Sequence, residues 1–134
     1  MRRAVRLSAP LAWMGIIWVL SSVPATPNQT MAGVFIPKVI QKGLHVVFYA
    51  VLCALWLWAI NVRGLSKANA VSSVGLTTAY AVVDEFHQTF TPGRFGSPWD
   101  VVLDAAAAGL AVLVVVAVRK TVRAPQRQDQ KHGG

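Results

Sequence analysis

The chain has 134 residues, 54% hydrophobic and only 13% charged, with a formal net charge of +8 and a mean hydropathy of +0.49. Soluble domains carry about 25% charged residues, so the composition excludes an ordinary soluble domain and points to one small membrane unit. The positive charge invites a nucleic-acid partner, but the basic residues sit at helix ends and in the tail and no nucleic-acid-binding motif is present, so none is expected.

In chain order, four apolar stretches approach the roughly 20 residues that a bilayer-spanning helix takes. The first covers about 7–22. Arg2, Arg3 and Arg6 precede it and Val23-Pro24-Ala25 follows, so cleavage as a signal peptide is a competing reading. Pro24, Pro27 and Pro37 then mark a loop with no regular structure expected before Pro37. The second stretch, about 43–60, holds the only cysteine, Cys53, which leaves no internal disulfide. The third, about 68–86, is the weakest, diluted by Asn69, Ser72, Ser73, Thr77 and Thr78. The fourth covers about 101–118. Gly75, Gly109 and the alanines from 105 to 108 let helices approach closely, as small residues do in membranes. Residues 119–134 read as a basic, disordered cytoplasmic tail on a membrane domain of residues 1–118.

Basic residues set orientation in the membrane. Ten of the 13 Lys and Arg residues fall on one side, leaving Lys38, Lys42 and Arg94 on the other. Both termini are therefore expected in the cytoplasm. The expected fold is an all-α membrane protein with four transmembrane helices. Lys42, His45 and Tyr49 share one face of helix two, at its extracytoplasmic end. Asp84, Glu85, His87 and Gln88 close helix three at the same end. Asp100 and Asp104 open helix four there, and Arg94 sits on the loop between. Three helices thus deliver ionisable groups to one leaflet, where an unpaired charge is costly and is usually functional.

Each residue also has a plainer reading. Lys42 suits an interfacial lysine whose stem is buried. His45 suits a satisfied core histidine, and Tyr49 a packing residue with a bonded hydroxyl. Asp84, Glu85 and Arg94 suit a structural ion network, and Asp100 the acidic first turn of a helix. Asp104 is harder to explain away, because it lies below the interface.

Lys42-x-x-His45-x-x-x-Tyr49-x-x-Leu52, then Asp84-Glu85-x-x-Gln88-x-Phe90-x-Pro92-Gly93-Arg94, then Asp100 resembles the VanZ-like membrane proteins. Their namesake is associated with low-level teicoplanin resistance. The resemblance implies a small multi-helix protein of the bacterial inner membrane and supplies no reaction. Gln41 stands where the family often has an acidic residue, Asp104 where it usually has Asn, and Ala107 and Ala111 where glycines are common.

On these residues, the expected function is an extracytoplasmic site that binds or acts on an anionic cell-envelope or lipid-linked ligand. His45, Asp84, Glu85 and Asp104 are the candidates for catalysis. Lys42, Tyr49, Gln88, Arg94 and Asp100 are those for ligand binding, with Arg94 as a bidentate anion contact. A non-catalytic accessory of wall synthesis and a proton-linked transporter subunit are the alternatives. No nucleophile or metal motif appears, and no cofactor is assigned. The bilayer and a lipid-linked or cell-wall precursor are the expected partners; a homo-oligomer is left open.

Overall fold

A computed structural model describes residues 2–24, 38–61 and 64–129. Four helices make up the fold: α1 (Arg2–Ser21), α2 (Lys38–Ile60), α3 (Lys67–Gln88) and α4 (Pro98–Asp129). Each expected segment lies on one of them. The loop at 25–37 and Arg63 lie outside the described residues, as do residues 130–134. Helix α4 continues to Asp129, well past the end expected at 118.

The helix starts follow local chemistry. Ser66 caps α3, its hydroxyl accepting from the Asn69 amide at 3.1 Å, which satisfies one of the orphan donors of the first turn. Helix α4 opens on Pro98, where a missing N–H costs nothing. Pro10 lies inside α1, where its ring removes a helix hydrogen bond. The turn between α3 and α4 is tight: Arg94 N donates to Thr91 O at 3.1 Å and Gly93 has φ 77°. That conformation suits glycine and follows from Pro92-Gly93.

Helices α2 and α3 each pack on all three others, while α1 and α4 flank the pair. Successive helices run in opposite directions. The Arg6 guanidinium of α1 lies 5.2 Å from the Trp58 ring centroid near the end of α2. At the other end Ser21 of α1 meets Asp84 of α3. Ile17, Tyr49, Leu52, Tyr80 and Ala81 form the apolar core.

The polarity of the bundle is reversed. Ser21, Ser73, Thr77, Asp84, Glu85, Gln88 and Asp104 are buried, whereas Val19, Val71, Phe86, Leu110 and Leu113 are more than 60% exposed. Water would penalise that arrangement and lipid favours it. Two helical stretches, Lys42–Ile60 and Pro98–Val122, are long and apolar enough to cross a membrane, and Val5–Ser21 is a shorter apolar one. Helix α3 owes its low hydropathy to the polar stripe it turns inward, Ser73, Thr77, Asp84 and Gln88 among it.

Gly96 is where the α3–α4 loop touches α3. A Cβ there would stand 2.6 Å from Thr89 Cγ2 and 3.0 Å from the Glu85 carbonyl oxygen. Gly96→Ala is therefore expected to destabilise by about 1–3 kcal/mol, as overpacking does. A lower melting temperature in detergent is the readout; an unchanged one would show that the loop yields freely.

Candidate functional site

All four helices supply the site, at the end where α1 and α3 finish and α2 and α4 begin. Asp84, wholly buried, is its centre. Its Oδ2 accepts from the Tyr49 hydroxyl at 3.0 Å and from Gln88 Nε2 at 3.0 Å. Ser21 Oγ lies 2.9 Å from the same oxygen and 2.8 Å from Ile17 O, so one hydroxyl proton serves two acceptors. His45 Nε2 stands 3.3 Å away. Such charge-assisted bonds on one carboxylate are the strong kind. The other oxygen, Oδ1, is buried with no hydrogen-bond partner among the described residues.

His45 and Gln88 are coupled through one proton. The Gln88 amide is oriented by Arg94, whose Nη1 donates to Oε1 at 3.3 Å. That turns Gln88 Nε2 toward Asp84 and toward His45 Nε2, which is 3.3 Å away. When His45 Nε2 carries a proton it donates to Asp84. When it does not, it accepts from Gln88. The His45 ring is thus held in place in both states.

Around this centre lies a pocket of about 330 Å³, lined in part by Lys42, His45, Glu85, Gln88, Arg94, Asp100 and Asp104. These belong to the expected set. Asp84 and Tyr49 stand behind the wall and act on the pocket through His45 and Gln88. Glu85 Oε1 accepts from the Ser97 backbone N–H, next to the start of α4, where a carboxylate is favoured. Lys42 Nζ pairs with Asp100 Oδ1 at 2.8 Å on the exposed rim. Asp104 is 2% exposed and faces the same pocket.

Arg94 departs from the ion network expected with Asp84 and Glu85. Its Nε donates to Val23 O at 3.1 Å and its Nη2 to Leu20 O at 3.3 Å. Leu20 O belongs to the last turn of α1, which has no basic residue of its own, and also accepts from Val23 N at 3.4 Å; Val23 follows the helix by two residues. Arg94 therefore caps α1 from another segment, placing a cation at the negative helix end. His87 stacks on Trp18, centroids 3.8 Å apart, away from the pocket lining.

Sequence reading overlooked α1. Ser21 and the Leu20 and Val23 carbonyls belong to the site. The one available signal was positional: Ser21 and Ser22 end an apolar stretch at the level of Asp84 and Arg94.

The VanZ/LLP1 family model matches residues 7–119, which takes in all four helices and every residue of the pocket. The chain belongs to the VanZ/LLP1 family. Family and apolar helices together point to a membrane protein. No curated protein and no solved structure matches the chain. In this VanZ/LLP1 member Lys42, His45, Tyr49, Asp84, Glu85, Gln88 and Arg94, the residues that carry the sequence resemblance, are gathered at one end of one bundle.

Proposed function

We propose that the protein crosses the bilayer four times with both termini in the cytoplasm, and that its pocket opens on the outer face of the bacterial inner membrane. There it binds, or acts on, a lipid-linked or cell-wall ligand with an anionic group. The observation that carries this reading is the polar pocket, lined by Lys42, His45, Glu85, Gln88, Arg94, Asp100 and Asp104, at one end of a bundle that turns its apolar residues outward. The ten basic residues at the opposite end and tail support the orientation. In a catalytic cycle His45 is the general base, Asp84 its positioning residue, and Glu85 and Asp104 the carboxylates that meet the ligand. Lys42 and the free N–H groups of Arg94 face its anionic group. A part in teicoplanin tolerance is proposed on the family resemblance alone, and susceptibility of a deletion strain tests it.

Orientation is checked with single cysteines in a Cys53→Ser background. Phe95→Cys, at a position 86% exposed, is expected to react with an impermeant thiol reagent in intact cells, and Lys67→Cys is not. The reverse pattern would invert the protein. The ligand is checked in proteoliposomes with a labelled lipid-linked wall precursor. Saturable binding or turnover, lost in His45→Ala, is expected; translocation without either would favour a transporter.

A further inference from the structure

The pocket's cations already have partners, whereas among the described residues Asp104 has none and Glu85 has one for a single oxygen. Lys42 is paired with Asp100 at 2.8 Å. Three of the five N–H donors of an arginine are spent by Arg94 on Val23 O, Gln88 Oε1 and Leu20 O. Asp104, by contrast, is 2% exposed, and among the described residues no hydrogen bond or ion pair reaches it. Glu85, 7% exposed, uses Oε1 on the Ser97 amide and leaves Oε2 without a partner among the described residues. Both line the same pocket.

A buried carboxylate without a partner is costly, by several kcal/mol per ion in measured cases. A buried carboxylate relieves that cost by taking up a proton or by gaining a cation or a set of donors, and a ligand in the pocket can supply the last two. Among the described residues no group of three or more His, Cys, Asp and Glu is placed to hold a metal ion. An ammonium group fits instead, being compact, with three N–H donors for carboxylate oxygens. The rest of the lining suits what an ammonium would be attached to. Lys42 at the rim and the spare Arg94 donors face an anion. Val46, Phe95 and Leu103 give the same pocket an apolar side, and Leu103 is itself 50% exposed on the outside of the bundle.

We infer that Asp104 and Glu85 form a subsite for a primary ammonium group, and that the ligand is a lipid whose headgroup carries both a phosphate and that ammonium. This rests on the proposed outer-leaflet lipid ligand and deepens it. The ammonium meets the two acids on the inner wall, the phosphate meets Lys42 and Arg94, and the chains leave along Leu103.

The test uses delipidated full-length protein titrated with short-chain phosphatidylethanolamine and its N-acetylated form, which keeps phosphate and tails and lacks the ammonium. Native mass spectrometry reads the bound lipid. Binding of the free amine is expected to be at least tenfold tighter. Asp104→Asn is expected to remove that preference, and Glu85→Gln to weaken it. Equal binding of the two lipids by the native protein would overturn the ammonium subsite and leave the anionic-lipid reading standing. Binding of neither by folded protein would overturn both. An Asp104→Asn protein that keeps the preference, or loses both lipids alike, would remove Asp104 from the subsite. The native comparison decides the ammonium question even if that variant fails to fold.

Discussion

Asp84→Ala is expected to lower the stability of the bundle by about 3–5 kcal/mol, the range seen when a buried charge partner is removed. Tyr49, Gln88, Ser21 and His45 all converge on Asp84 Oδ2, so its loss strands four donors on three helices, α1, α2 and α3, at once. Interhelical hydrogen bonds in membranes average only about 0.6 kcal/mol each, because the separated helices find other partners. The excess expected here comes from the charge on the acceptor and from a site wholly closed to solvent. Asp84→Asn is expected to fare little better, since an amide adds two donors to a place that supplies donors already. Tyr49→Phe is the control. It removes one bond and leaves the others, for a loss of about 1 kcal/mol. Denaturation in mixed micelles, followed by tryptophan fluorescence, gives both values. Equal stability of Asp84→Ala and Tyr49→Phe would sink the idea that one oxygen ties α1, α2 and α3 together.

Arg94→Lys is expected to behave almost as badly as Arg94→Ala, each losing about 2–3 kcal/mol, a range set by hydrogen bonds to charged groups at about 1.5–3 kcal/mol apiece. The Arg94 donors diverge toward Leu20 O, Val23 O and Gln88 Oε1. A lysine keeps the charge but has no planar fork, so it cannot reach all three. Two effects follow together: the end of α1 loses its cap, and the Gln88 amide is free to turn. The second effect reaches His45. A double-mutant cycle with Ser21→Ala tests the coupling, since both changes loosen the end of α1 at the same site. Strong non-additivity is expected. Wild-type stability in the Lys variant would return Arg94 to a purely ligand-facing role.

The four helices were legible in the sequence because each carries an apolar stretch bounded by polar or turn residues, two of them long and apolar enough to cross a membrane. The convergence of Lys42, His45, Asp84, Glu85, Gln88, Asp100 and Asp104 was legible too, once alternating direction put those ends together. Three things were not. Arg94 read as a contact for a ligand anion, or else as a partner for carboxylates, because side-chain charges are visible in sequence and backbone carbonyls are not. Its acceptors, Leu20 O and Val23 O, carry no residue signature at all. Ser21 looked like any serine at a helix end; only the packing of α1 on α3 gives it Asp84. The division between residues that line the pocket and residues that stand behind it was equally hidden. His45 and Tyr49 are four residues apart on one helix face, yet only His45 lines the cavity. The end of α4 was misplaced because hydropathy stops at 118, whereas the helix continues to Asp129 through a stretch that includes Pro125, a continuation that helix propensity does not explain.

Helix α1 is fastened in part through its main chain. Tyr80 donates to Met14 O at 2.6 Å, and Arg94 donates to Leu20 O and Val23 O. Peptide oxygens are the same whatever side chain sits beside them. Amino-acid exchange at 14, 20 and 23 therefore leaves these fastenings intact so long as the helix itself forms. A saturation mutagenesis map would show 20 and 23 as permissive positions beside the intolerant Ile17 and Ser21, with the intolerance displaced onto the donor at 94.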